Sequence, residues 1–182
     1  HFPDCRLKVI EFRKGVVKVA RSYFQLPLDP RLKIIIGDGG EYVCQRTESH
    51  TERYSLLIID AFDHENIAAS IANEAFFNSA QVLLKKDGIM VINLWGGENN
   101  ILYLRCVSWL RNIFQQRVLF LPVKDRGNVI ALAFNEEVPL LTMKHLRRRA
   151  VELEQHYQIE FQTFLRDLRK YNAQSFNRLI IK

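Results

Sequence analysis

The chain has 182 residues, 48% of them hydrophobic and 25% charged, the balance of one globular domain with a sizeable core. Its formal charge of +6 would favour an anionic partner, but much of the excess falls in the C-terminal third, where a solvated basic helix accounts for it; nucleic acid is not the expected partner. Three widely spaced cysteines, Cys5, Cys44 and Cys106, argue against a disulfide framework or a zinc site, and no run of 18 apolar residues or leader pattern points to a membrane or secretory role, so a soluble cytoplasmic protein is expected.

Strand-like and helix-like patterns alternate along the chain, the signature of a parallel sheet with helices on its faces. Arg6 to Phe12 reads as a strand, and Val16, Val19, Ala20, Tyr23 and Phe24 recur at helical spacing until Pro27 and Pro30 stop the helix. A second strand, Leu32 to Ile36, ends in Gly37-Asp38-Gly39-Gly40. A short helix from Glu41 to about Gln45 and a polar loop from Arg46 to Arg53 lead to a third strand, Tyr54 to Asp60. Its four aliphatics, Leu56-Leu57-Ile58-Ile59, suit a strand buried on both faces, and the run stops abruptly at Asp60 and Asp63.

Ile67 to Lys85 is apolar at helical periodicity and closes with Lys85, Lys86 and Gly88, cations in the last turn and glycine after it. Gly88 to Leu94 is a fourth strand and Ile101 to Gln116 another helix. Val118 to Val123 and Asn128 to Phe134, separated by four turn residues, read as an antiparallel hairpin at one end of the sheet. From Leu140 onward a charged amphipathic region, with a broken stripe from Leu146 through Tyr157 and Phe161 to Leu168, reads as one or two helices packed on the sheet domain or a partner chain. The expected division is an α/β domain over 1–139 and a helical extension over 140–182.

Ligands of open α/β sheets bind at the carboxyl ends of the strands, so the strand-end acids are the candidates. Glu11 is placed where an acid accepts both hydroxyls of a ribose, or is a solvated strand end. Asp38 sits among glycines that let backbone approach a flat ligand, or is simply a turn former. Asp60 and Asp63 follow buried aliphatics, where a carboxylate is costly unless something uses it. The five histidines show no metal-ligand spacing, and His64, next to Asp63, either faces the cleft or, more in keeping with its loop position, is solvated. Cys44 reads as packing, and Trp95 as stacking on either a ligand or a neighbouring loop. Lys144, Arg147, Arg148 and Arg149, interleaved with Glu152 and Glu154, read as an ion-paired solvated face.

The order strand-acid, strand-Gly-Asp-Gly, strand-Asp resembles the nucleoside-binding edge of class I S-adenosylmethionine-dependent folds, and among these the spermidine synthase (polyamine aminopropyltransferase) family. The matching residues are Val9-Ile10-Glu11 followed by Val16 to Phe24, Asp29-Pro30-Arg31-Leu32 leading to Gly37-Asp38-Gly39, Leu57-Ile58-Ile59-Asp60-Ala61-Phe62-Asp63, and Glu74-Ala75-Phe76-Phe77 through Leu94. The resemblance implies a three-layer Rossmann-like sheet of class I methyltransferase type, mostly parallel, with an antiparallel hairpin at one edge and helices after it. It makes residues 1–139 a nucleoside-binding domain. It also implies that Glu11 binds the ribose, Asp38 and Gly39 the adenine, that Asp60 accepts the amine proton, and that Asp63 holds the amine. The implied reaction moves an aminopropyl group from decarboxylated S-adenosylmethionine to a polyamine acceptor, without a metal, in a homo-oligomer.

An S-adenosylmethionine-dependent methyltransferase would keep Glu11 and Asp38 without needing the Asp60 and Asp63 pair. A non-catalytic paralogue would use the domain for dimerisation or ligand sensing. The chain departs from the family pattern in three places. The glycine-rich βα unit expected just upstream of Arg6, and the amino-terminal β-domain, do not lie within it. Phe12-Arg13-Lys14 stands where an acid and a proline are expected after Glu11, and His64 to Ser70 stands where a proline-containing gate is expected after Asp63.

Overall fold

Apolar runs that end in turn residues become the strands of a computed structural model that describes residues 3–49, 53–62, 67–97, 99–138 and 140–181. Strand β1 (Leu7–Glu11) leads through helix α1 (Lys14–Tyr23) to strand β2 (Leu32–Ile36), and the two strands pair in parallel, Leu7 opposite Leu32 and Glu11 opposite Ile36. Helix α2 (Gly39–Ser49) follows, then strand β3 (Tyr54–Ile59), helix α3 (Glu74–Leu83), strand β4 (Leu84–Trp95), helix α4 (Ile101–Ile113) and the hairpin of β5 (Val118–Pro122) and β6 (Asn128–Phe134). These four strands form one sheet in the order β3-β4-β6-β5. β3 and β4 are parallel, and the hairpin is antiparallel at the edge.

The chain closes with strand β7 (Leu141–Thr142), helices α5 (Met143–Tyr157), α6 (Phe161–Tyr171) and α7 (Ala173–Leu179), and strand β8 (Ile180–Ile181). β7 and β8 pair in parallel, tying the two ends of this helical extension together. No described helix is long and apolar enough to cross a membrane.

Side chains alternate across a strand, so each sheet face has its own row of residues. Ile59, Ile92, Ala131 and Phe120 form one such row, all buried; around it Phe76, Phe77, Leu83, Cys106, Leu110 and Phe114 of α3, α4 and the turn after α4 make the core. On the opposite face the equivalent row is Ile58, Val91, Leu132 and Leu119. It runs from 66% exposed at Ile58 to 3% at Leu119. The extension explains the gradient: Phe176, Leu179 and Ile180 pack on Leu119, with Leu132, Phe134, Leu165 and Leu168 around them.

The expectation that β3 is buried on both faces is therefore corrected. Leu56 is 52% exposed, because no described helix lies over the second face at β3. Helix α1 is bare in the same way; none of its residues is buried, and Val16, Val19 and Tyr23 are exposed.

Among the described residues no ladder joins β1 to β3. The two are linked instead by side chains, with Lys8 Nζ 3.2 Å from the Tyr54 hydroxyl and 5.4 Å from the centre of its ring. Lys8 lies near the start of β1 and Tyr54 at the start of β3. At the other end, Gly40 of α2 lies against the backbone of Ser70, in a segment anchored where Ala68 N donates to Ala61 O just past β3. Start meets start and end meets end, so the carboxyl ends of β1, β2 and β3 share one edge.

Helix boundaries differ from those expected: α2 runs on to Ser49, through the start of the loop read from Arg46, and α4 stops at Ile113, short of Gln116. α2 begins two residues earlier than Glu41 because Asp38 Oδ1 accepts the Glu41 N–H at 2.9 Å and draws both glycines into the first turn. The helix expected over 67–85 is only α3. Asn73 caps it through the Phe76 N–H at 2.9 Å, and Leu84 turns to extended backbone to pair with Tyr54, carrying Lys85 and Lys86 into β4. Capping and strand pairing both override the apolar periodicity there.

Candidate active site

Glu11 is the last residue of β1, half-buried, and its Oε1 accepts the Arg13 N–H at 2.7 Å. Gly37 N donates to Glu11 O at 3.1 Å, which sets the Gly37-Asp38 turn directly beside it. Asp38 is also half-buried, and one of its oxygens is engaged in capping α2. The turn reading of Asp38 is thus structurally satisfied, and its second oxygen has no hydrogen bond among the described residues. The glycines divide their work. A Cβ on Gly40 would lie 2.3 Å from Ser70 O, so Gly40 serves close packing, whereas a Cβ on Gly39 would meet nothing within 4 Å. Gly39 borders open space at the N-terminus of α2, where backbone N–H groups point outward.

Asp60 follows β3 on the same edge. It is exposed, so burial does not distinguish it. Its orientation does, because Oδ1 accepts Asn93 Nδ2 at 3.0 Å, and Asn93 Oδ1 accepts Asn128 Nδ2 at 2.9 Å. Asn93 and Asn128 lie on β4 and β6 and were not among the residues singled out from the sequence. The one signal available was an amide interrupting the apolar strand Gly88 to Leu94. Asp63 and His64 lie outside the described residues.

Trp95 packs on the neighbouring loop. A Cβ on Gly127 would sit 3.0 Å from its ring, and Gly96 N donates to Gly127 O at 2.6 Å. A cavity of about 450 Å³ lies against α1, lined by Arg13, Val16, Val19 and Phe24 and by none of the strand-end acids. Among the described residues no group of three or more His, Cys, Asp or Glu is placed to hold a metal ion. The Cys106 thiol is buried under the sheet, and that burial pushes its pKa up to about 11, far from a reactive thiolate.

Glu11, Asp38 and Gly39 thus form one group at the ends of paired strands, and Asp60 stands on the same edge across the seam between β1 and β3. Residues 5–107, from just before β1 into α4, match the family model described as spermine/spermidine synthase domain. The chain belongs to this family. A relative named polyamine aminopropyltransferase, from Neisseria meningitidis, is 31% identical over 173 residues, 94% of this chain and 64% of its own length. The chain therefore spans somewhat under two thirds of that relative.

Among solved structures, human methyltransferase-like protein 13 in complex with SAH superposes with a TM-score of 0.72 at 18% identity, over 93% of this chain and 73% of that one. A spermidine synthase in complex with the transition-state analogue AdoDATO gives 0.65 at 17%, over 92% and 61%. At these identities the structures establish a shared fold, the class I methyltransferase and spermidine synthase architecture expected from the sequence.

Proposed function

We propose that the protein carrying this chain is an aminopropyltransferase that uses decarboxylated S-adenosylmethionine as co-substrate and a diamine or polyamine as acceptor. The observation that carries the reading is the shared strand edge on which Glu11, Asp38 and Asp60 each end a strand, in a chain of the spermidine synthase family. Glu11, whose Oε2 has no hydrogen bond among the described residues, accepts the ribose hydroxyls, and Asp38 with Gly39 takes the adenine. Asp60 takes the amine proton and aims the nitrogen, and Asp63 holds the distal ammonium.

A protonated amine has no lone pair to attack with, so a carboxylate must accept its proton before or during the reaction. The amine nitrogen then forms a bond to the carbon next to the sulfonium. The carbon–sulfur bond breaks, its electron pair returns to sulfur, and 5′-methylthioadenosine leaves as a neutral thioether. The leaving group is already cationic, so positioning, charge complementarity and a proton acceptor supply what remains. The three free thiols, Cys5, Cys44 and Cys106, support a reducing cytoplasmic setting. A homo-oligomer is part of the same proposal.

Calorimetric titration of the natural full-length gene product tests the reading. Binding of 5′-methylthioadenosine and decarboxylated S-adenosylmethionine in preference to S-adenosylmethionine is expected. A preference for S-adenosylmethionine, or no binding of any of the three, overturns it.

A further inference from the structure

We propose that Asn128 and Asn93 form a polarised relay that positions the Asp60 carboxylate, an inference that rests on the aminopropyl-transfer reading of that residue. The three side chains lie on one sheet face. Asp60 follows Ile59, which pairs with Ile92, so it stands beside Asn93; Asn93 pairs with Ile130, and Asn128 is the diagonal neighbour two residues before it. This is the same face as Ile58 and Val91, the one left without helices at β3.

The relay has a direction fixed by chemistry. An ionised carboxylate only accepts hydrogen bonds, so Asn93 must turn its NH₂ to Asp60, at 3.0 Å. Its carbonyl oxygen then faces away and needs a donor, which Asn128 Nδ2 supplies at 2.9 Å. Without Asn128 the Asn93 amide is held in that orientation by Asp60 alone, and a flipped amide would present oxygen to oxygen at Asp60. Among the described residues Asp60 has no other side-chain hydrogen bond and no ion pair, so this amide is its one polar tether there. Asn93 and Asn128 are positioning residues that act through Asp60.

Asn128→Asp reverses the relay's polarity while keeping its shape, and Asn128→Leu removes the donor without reversing anything. Both variants are made in the natural full-length protein, and kcat for aminopropyl transfer is measured against pH. The Asp60 carboxyl carbon is followed by NMR titration in parallel. Asn128→Asp is expected to lower kcat about 10- to 100-fold and to move both the acid limb of the profile and the Asp60 titration to higher pH, with melting temperature and 5′-methylthioadenosine affinity unchanged. Asn128→Leu is expected to lose less than Asn128→Asp.

An Asp60 titration that does not move in Asn128→Asp overturns the relay, as does an equal loss in both variants accompanied by a lower melting temperature. Absence of turnover in the wild-type protein with every diamine overturns the aminopropyl-transfer reading instead, and the NMR titration still decides the relay.

Discussion

Asn172 hydrogen-bonds in both directions with the main chain of Phe120, accepting its N–H at 2.8 Å and donating to its C=O at 2.7 Å. β5 is the edge of its sheet, and Asn172, buried between α6 and α7, supplies the partner that a further strand would give. Its Nδ2 also donates to Leu168 O at 2.8 Å, so one side chain ties the extension to the sheet. Asn172→Ala strands a buried N–H and C=O together. Urea denaturation is expected to show a loss of about 2–4 kcal/mol, with Asn172→Asp, which keeps only the acceptor, also destabilised. A loss below about 0.5 kcal/mol would mean that water replaces the clamp.

Gly40 and Gly39 stand next to each other with opposite constraints. A Cβ at Gly40 would meet Ser70 backbone at 2.3 and 2.6 Å, and backbone cannot swing aside as a side-chain tip can. Gly40→Ala is expected to cost about 1–3 kcal/mol. Gly39→Ala enters open space in the first turn of α2 and is expected to leave stability within about 0.5 kcal/mol, while weakening the affinity for 5′-methylthioadenosine. Equal thermal stability of the two variants would contradict this packing.

The strands before the extension were the most legible part of the sequence, since β1, β2, β3 and β5 are short, largely apolar runs closed by acid, glycine or proline, whereas the two-residue β7 and β8 were not read. β2 takes the residues read from Leu32 to Ile36, and the hairpin follows its turn at Lys124 to Gly127. Helix ends were less legible because local hydrogen bonds decide them: Asn73 starts α3 late and Asp38 starts α2 early. The burial of β3 was misread, because four aliphatics do not tell how many faces are covered in the chain at hand. The acids stood out as breaks in apolar runs. Asn93 and Asn128 did not, because only strand register brings residues so far apart in sequence into contact with each other and with Asp60.

Cys106 links stability to alkaline pH. Burial raises its thiol from 9.0 to about 11, so between those values the folded chain keeps a proton that the unfolded chain releases. The contribution is therefore fully present below pH 9 and lost as pH rises through 11. Cys106→Ala removes this group, so the stability gap between wild type and variant is expected to narrow from about pH 8 to about pH 10.5. A constant gap would show that the thiol titrates normally. At neutral pH a maleimide is expected to label Cys5, which is exposed, and to leave Cys106 unlabelled in the folded protein.

Asp60 carries the central claim, and its conversion to asparagine tests it most directly. Asp60→Asn keeps the shape and removes the proton acceptor at the end of β3. The measurement is release of 5′-methylthioadenosine from decarboxylated S-adenosylmethionine and a diamine by the natural full-length protein and this variant, with nucleoside affinity determined alongside. The expected result is turnover by the wild type, a fall of about 100-fold or more in the variant, and unchanged affinity for 5′-methylthioadenosine. Turnover undiminished in Asp60→Asn, or none in the wild type, would contradict the account.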